Sequence, residues 1–186
     1  MNTAKPRLLL HACCAPCSPH AIETLDQKYD VELYFYNPNI HPADEYWLRV
    51  KEMKRLAADL QKRLIIEPYD VDEWFRRIAG LEEEPERGKR CEVCFAMRFE
   101  KTAQTATQHN INFFTNTLTI STHKDAETIN RIGKEIAGKF GITFLEQNLK
   151  KQDGVRNNRF LSKKYNFYHQ NYCGCIYSRR QSLAQE

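Results

Sequence analysis

The chain has 186 residues, of which 28% are charged and 41% are hydrophobic, and its formal net charge is +4. This length predicts a single domain, residues 1–186, with a core large enough to need no disulfide bonds. No apolar run approaches the ~20 residues of a membrane helix. The N-terminal segment MNTAKPRLLLHA becomes polar too soon to be a secretory signal. We therefore expect a cytoplasmic protein without membrane contact.

Strands and helices are predicted to alternate along most of the chain. Runs with strand-like composition cover residues 5–12, 31–36, 63–68, 111–116 and 142–147. Segments with apolar residues at helical spacing cover residues 18–28, 42 to about 60, 70–79, about 91–109 and 124–139. Ser18 is the expected N-cap of the first helix, with Pro19 at its first position. The last forty or so residues should be mostly loop and short helix.

The cysteines are the most unusual feature of the sequence. All seven fall in three groups: Cys13, Cys14 and Cys17; Cys91 and Cys94; and Cys173 and Cys175. In a reducing compartment, clustered cysteines more often bind metal or react than form disulfides. One zinc site or one 4Fe–4S cluster needs only four thiols. The surplus of three favours a reactive centre over a purely structural metal.

The position of the first group is informative. The alternation predicts an α/β fold, a single Rossmann-like parallel sheet, whose ligands bind beyond the carboxyl ends of the strands. The loops HACCAPCS, YNPNIHP and TNTLTISTHKD follow predicted strands, so we expect them, and two of the thiol groups, at that edge. The first loop stands where such folds usually have a glycine-rich phosphate site, but it has cysteines and no glycine. Thiolates at a helix start suit zinc or iron–sulfur clusters.

Two other functions remain open from the residues alone. A zinc-stabilised RNA-binding module without catalysis could bring two C-x-x-C pairs to one tetrahedral site. A thiol–disulfide oxidoreductase could use Cys91 and Cys94 at the start of a helix, although the other five thiols would then be unexplained.

The C-terminal segment, residues 146–186, is basic and rich in aromatic and cysteine residues. It holds eight Lys or Arg and three Asp or Glu, a local charge of +5, together with six aromatic residues. Such a composition suits an RNA backbone with bases to stack on. The alternative is a solvated basic surface whose aromatic side chains pack inward. We expect this extension to pack on the active-site edge.

Four segments together resemble the QueH-type epoxyqueuosine reductases, over about Leu8 to Ser178: HACCAPCS, YNPNIHPADEYWLR, RCEVCFAMR and YCGCIYS. The resemblance implies a fold related to the adenine-nucleotide alpha-hydrolase (HUP) superfamily. It also implies a 4Fe–4S cluster beside a mononuclear iron or other divalent metal. The implied substrate is tRNA carrying epoxyqueuosine at the anticodon wobble position. The implied reaction is its two-electron deoxygenation to queuosine, the last step of queuosine biosynthesis, with electrons from a ferredoxin- or flavodoxin-type donor.

The resemblance makes all seven cysteines candidate metal ligands. We expect Cys91, Cys94 and one or two thiols of the other groups to hold the cluster, and the remaining thiols, including Cys17, to hold the iron. The candidate catalytic residues are Cys13, Cys17 and Tyr172. The candidate substrate contacts are Asn37, Asn39, His41, Lys124, Arg179 and Arg180. The alternative for these polar residues is a turn, a helix start or a solvated surface.

Overall fold

The structure is a computed structural model and describes residues 4–183. Its strands are β1 (Arg7–His11), β2 (Asp30–Phe35), β3 (Leu64–Ile66), β4 (Phe113–Asn116) and β5 (Thr143–Phe144). They form one parallel sheet in the order β3-β2-β1-β4-β5. The predicted parallel sheet is therefore confirmed. The two outer strands are shorter than predicted. β3 pairs with β2 over only three residues, and β5 pairs with β4 over only two.

Seven helices are present in the described residues: α1 (Pro19–Leu25), α2 (Ala43–Asp59), α3 (Val71–Ile78), α4 (Lys89–Gln108), α5 (Ala126–Phe140), α6 (Gly154–Lys164) and α7 (Ile176–Leu183). The five predicted helices correspond to α1 to α5, and α6 and α7 are the short helices expected near the end. Residues 1–3 and 184–186 lie outside the described residues, so the single domain over 1–186 stays a prediction. Within residues 4–183, no helix combines the length and the apolar character that crossing a membrane requires.

The sheet is covered on both faces, which buries β1 from Leu8 to His11. Leu9 belongs to a core with residues of α4 and α5, whereas Leu8 and Leu10 belong to a core with residues of α1 and α2. Side chains of a strand alternate between its two faces, which explains this division. The predicted apolar faces of α2 and α4 are buried as expected. The carboxyl ends of the strands are thus held by packing on both sides.

One expected capping interaction is absent. Ser18 stands at the N-cap position of α1, with Pro19 following, but its side chain makes no capping hydrogen bond. Its hydroxyl instead donates to the carbonyl oxygen of Cys14 at 2.9 Å. The predicted capping role is therefore wrong, because the buried hydroxyl stabilises the cysteine turn before the helix.

Candidate metal centre and cleft

The first three cysteines lie together directly after β1. A 3₁₀ turn over Ala15–Cys17 brings the Sγ atoms of Cys13, Cys14 and Cys17 within 4.8 Å of one another. The Sγ atoms of Cys13 and Cys14 are 3.7 Å apart. Sulfur ligands about 2.3 Å from a tetrahedral metal lie about 3.8 Å from each other. The three thiols are therefore spaced as ligands of a single ion could be.

These three thiols differ in their proton affinity. Hydrogen bonds from Cys14 and Cys17, assisted by the nearby cations Lys124 and Arg98, hold the pKa of Cys13 well below its usual range. The hydrogen bond with Cys13 raises the pKa of Cys14 to about 12 and also raises the pKa of Cys17. Cys13 is thus the thiol of the three that most readily becomes a thiolate, and Cys14 and Cys17 donate hydrogen bonds to it. Three sulfur atoms of this kind suit a soft metal ion.

A glutamine from the C-terminal segment contacts this group. The side-chain Nε2 of Gln170 donates to Sγ of Cys14 at 3.1 Å. Its Oε1 is buried and has no hydrogen-bond partner among residues 4–183. Sequence reasoning missed Gln170, because no local pattern connects it with a cysteine 156 residues away. Donors to a ligand sulfur commonly orient metal ligands and tune the metal.

The other four cysteines form a second group. Cys91 and Cys94 lie in the first turns of α4, and Cys173 and Cys175 precede α7. Cys91 and Cys173 line one small cavity. Burial, together with the charges of Cys173, Cys94 and Cys175, raises the pKa of Cys91 to about 12, as expected for neighbouring thiols. All three sequence groups therefore reach the functional edge, where we expected two.

N–H groups surround the four-thiol group. The backbone N–H of Arg87 donates to Sγ of Cys91 at 3.3 Å, and that of Ser178 donates to Sγ of Cys175 at 3.4 Å. The indole of Trp74 is 1% exposed and its N–H has no partner. Burial raises the pKa of Cys94, and the nearby Trp74 partly opposes this. Such donors stabilise anionic, metal-bound sulfur.

A buried arginine holds the C-terminal cysteines against α2. Arg49 is 1% exposed and donates to the carbonyl oxygens of Cys173 at 3.1 Å and Tyr172 at 3.4 Å. Its Nε donates to Glu45 at 2.6 Å. Gly174 has a φ of +131°, and a Cβ there would lie 3.1 Å from Nη1 of Arg49. Sequence reasoning missed Arg49, because a charged residue within an amphipathic helix usually faces solvent.

A cleft of about 570 Å³ opens beside the three-thiol group. Cys13, Cys17, Tyr172 and Lys124 line it, and Cys173 connects it with the four-thiol group. Burial raises the pKa of Tyr172 to about 12, and its hydroxyl donates to the carbonyl oxygen of His41 at 2.5 Å. The charges of the nearby cysteines outweigh burial and raise the pKa of Lys124. All three candidate catalytic residues thus face one cavity.

The three candidate residues of the loop after β2 do not line the cleft. Asn37 is 1% exposed, donates to the carbonyl oxygen of Ala12 at 2.9 Å and accepts from Arg98 at 2.7 Å. Asn39 is also buried, and its side-chain oxygen has no partner. The ring of His41 lies 5.1 Å from that of Trp74. The structure shows how these residues shape the loop, and their contact with substrate stays a prediction.

The two candidate arginines lie on the outer surface of α7. Arg179 and Arg180 are exposed, and the guanidinium of Arg180 lies 5.8 Å from the ring centroid of Tyr177. Neither lines the cleft. Their role as phosphate contacts stays a prediction.

Comparison with known proteins identifies the family of this arrangement. Residues 8–181 match the family described as "Epoxyqueuosine reductase QueH". A protein of that name from Haemophilus influenzae is 45% identical over 178 residues, which cover 95% of this chain and 73% of the relative. Another of that name from Thermotoga maritima is 36% identical over 96% of this chain and 94% of the relative.

A solved structure with a similar fold comes from Methanocaldococcus jannaschii. It is described as a predicted subunit of a tRNA methyltransferase, and its TM-score is 0.56 with 12% sequence identity. The match covers 84% of this chain and 76% of the other. At this identity the similarity concerns the fold alone. It agrees with the expected α/β fold class, and the relationship to the adenine-nucleotide alpha-hydrolases stays a prediction.

Proposed function

This chain belongs to the epoxyqueuosine reductase QueH family, and we infer that it is an oxidoreductase that reduces epoxyqueuosine to queuosine in tRNA. The reaction breaks both C–O bonds of the epoxide and leaves a carbon–carbon double bond, and the oxygen departs as water. It therefore consumes two electrons and two protons. The electrons come from an external low-potential donor of the ferredoxin or flavodoxin type, and the tRNA substrate places the enzyme in the cytoplasm.

We assign the two thiol groups to two metals. The four thiols Cys91, Cys94, Cys173 and Cys175 match the number that a 4Fe–4S cluster requires. The three thiols of the turn after β1 would hold a mononuclear iron, and two of them, Cys13 and Cys17, line the cleft. This assignment narrows our expectation that one or two thiols of the other groups join Cys91 and Cys94 at the cluster, and it keeps Cys17 among the ligands of the iron. It is supported by the spacing of the first group and by the shared surroundings of the second.

The donor sets fit these metals. Both sites offer soft sulfur ligands, and N–H groups of Gln170, Arg87 and Ser178 donate to three of the sulfur atoms. A bound iron–sulfur cluster supplies electrons one at a time, and an iron with an open position supplies Lewis acidity.

The residues of the cleft have separate roles in this reaction. The hydroxyl of Tyr172 stays protonated at neutral pH and can give a proton to the departing oxygen. The ammonium group of Lys124 faces the same cavity and stabilises negative charge that develops there. Cys13 and Cys17 would hold the metal at the wall of the cleft. Asn37, Asn39 and His41 support the loop beside the modified base, and Arg179 and Arg180 contact RNA phosphates.

One observation carries the proposal: three thiols lie within 4.8 Å of one another beside a cleft that Cys173 of the second group also lines. The test is conversion of epoxyqueuosine to queuosine in tRNA by the anaerobically reconstituted protein with dithionite as reductant. Brown protein that performs this conversion is the expected result. Colourless protein that holds only zinc after iron–sulfur reconstitution, and that leaves epoxyqueuosine unchanged, would instead indicate a zinc-stabilised RNA-binding module.

A further inference from the structure

Helix α6 has an outer face of unusual composition. Its sequence, GVRNNRFLSKK, contains four cations and no acidic residue. Four of its exposed side chains are cationic: Arg156, Arg159, Lys163 and Lys164. Phe160 lies among them and is 70% exposed, more than any other large hydrophobic side chain in the described residues. The exposed ring of Phe160 is therefore available to a partner, and positive charges flank it on the same helix.

The inner face of the same helix is fixed to the metal-binding turn. The side chain of Asn158 donates to the carbonyl oxygen of Pro16 at 2.7 Å. Ser162 is buried, and its hydroxyl lies 2.9 Å from Nε2 of His169. A Cβ on Gly154 would lie 1.9 Å from the carbonyl oxygen of Leu149, so only glycine permits this approach. The helix is therefore held in a fixed position relative to the thiols.

The two faces meet at the cleft. Val155, Asn158, Arg159 and Ser162 of α6 line the cavity that Cys13 and Cys17 also line. A chain that lies along the outer face of α6, about 16 Å long, would reach the cleft opening at Arg159. The neighbouring aromatic residues are more engaged: Phe167 is 5% exposed and stacks on Tyr165, and Tyr168, 37% exposed, donates its hydroxyl to Glu45 at 2.9 Å.

We propose that the outer face of α6 is the docking surface for the anticodon arm of the tRNA, with its cations on the phosphates and Phe160 stacked on a base beside the wobble nucleotide. This inference rests on the proposed function. Four cations on a helix whose own residues include no acid suit a polyanion, and an aromatic ring between them suits an unpaired base. An acidic protein partner would match the cations equally well, but it would not need a planar ring next to the nucleotide cleft.

Binding of an anticodon stem-loop RNA at several salt concentrations tests this surface. The double variant Lys163→Gln/Lys164→Gln should bind more weakly, and the slope of log K against log salt should become shallower by about 1.4–1.8 for two lost phosphate contacts. Its matched control is Lys28→Gln/Lys139→Gln, two exposed lysines at helix ends near the opposite edge of the sheet. The control should retain the wild-type affinity and slope.

A second pair of variants tests the stacking. Phe160→Ala should weaken binding by about 5- to 150-fold, as expected for one stacked base, and Phe160→Tyr should restore it. Trp47→Ala, which removes another exposed aromatic side chain at 57% exposure, should have no effect. Iron content should be unchanged in all these variants, because none of the altered side chains contacts a thiol.

The outcomes separate this proposal from the proposed function. If the wild type reduces epoxyqueuosine but the α6 variants bind RNA like the wild type, the docking surface is wrong and the function stands. If the control variants lose as much affinity as the α6 variants, or if the wild type does not bind the RNA, the docking surface is also wrong. If the α6 variants alone lose affinity but the wild type leaves epoxyqueuosine unchanged, the surface stands and the function is wrong.

Discussion

The guanidinium of Arg49 donates a hydrogen bond of 3.1 Å to the backbone carbonyl oxygen of Cys173, a residue 124 positions later in the chain. The same side chain pairs with Glu45, and both are buried. A helix that packs on the sheet therefore fixes the loop that contributes two thiols to the metal centre.

Replacement of Arg49 by lysine should lower the iron content. Lysine keeps a charge beside Glu45 but cannot also reach the carbonyl oxygens of Cys173 and Tyr172, because it lacks the planar fork of arginine. Arg49→Met leaves a buried carboxylate unpaired and should cost about 3–5 kcal/mol in the free energy of unfolding. Iron analysis and urea unfolding measure the two effects. Arg55→Lys on the same helix is the control, since Arg55 is partly exposed, and full iron content in Arg49→Lys would contradict the positioning role.

Single cysteine variants should separate the two metals. Cys17→Ala should lose about one iron per chain and keep the brown absorption of the cluster, whereas Cys94→Ala should lose that absorption and about four irons. Iron analysis and visible spectra of anaerobic protein measure the difference, and each variant is the control for the other. Loss of the cluster absorption in Cys17→Ala would show that the two thiol groups share one cluster.

Replacement of Gln170 by glutamate should weaken metal binding at the three-thiol group. The substitution keeps the shape of the side chain but replaces the N–H that donates to Cys14 with a carboxylate oxygen. The expected loss is about 10–100-fold in metal affinity, the usual effect of removing a partner of a metal ligand. Titration of the metal-free protein with Co²⁺, followed by its thiolate charge-transfer band, measures this. Asn171→Asp adds the same charge to the cleft without contact to Cys14, and an equal loss there would attribute the effect to charge alone.

Asp125 should stabilise α5 rather than contact substrate. Its carboxylate accepts from the backbone N–H of Thr128 at 2.7 Å, and hydrogen bonding to the side chain and then to the backbone N–H of Thr128 holds its pKa below the ordinary value of 3.8. At pH 7 we expect Asp125→Ala to lose about 1 kcal/mol in the free energy of unfolding, and Asp125→Ser to lose less while keeping full activity. Because the pKa is lowered on folding, this contribution is present above pH 3.8 and is lost as pH falls through the folded pKa.

The difference in stability between wild type and Asp125→Asn should therefore shrink as the solution is acidified below pH 3.8. Thermal unfolding between pH 7 and pH 3 measures it, with Glu127→Gln in the same helical turn as the control. A loss of activity in Asp125→Ser without a loss of stability would instead assign Asp125 to the substrate.

Much of the fold could be predicted because its signals are local. Alternating apolar segments predicted all five strands, and the helical spacing of Tyr46, Val50 and Met53 predicted which face of α2 is buried. The two edge strands were predicted too long, because the length of β3 and β5 depends on how many of their residues pair with the neighbouring strand. The capping role of Ser18 was wrong for a related reason: the carbonyl oxygen of Cys14 was a closer partner for its hydroxyl.

The sequence by itself determined the parallel α/β sheet, the identity of the seven thiols and the family. Only the tertiary structure decided that the thiols form one group of three and one group of four. It also decided which side chains form hydrogen bonds that position them. The contacts of Gln170 with Cys14 and of Arg49 with Cys173 join residues more than 120 positions apart. Such contacts leave no periodic signal, because they depend on how helices and loops meet in space rather than on the spacing of residues along one element.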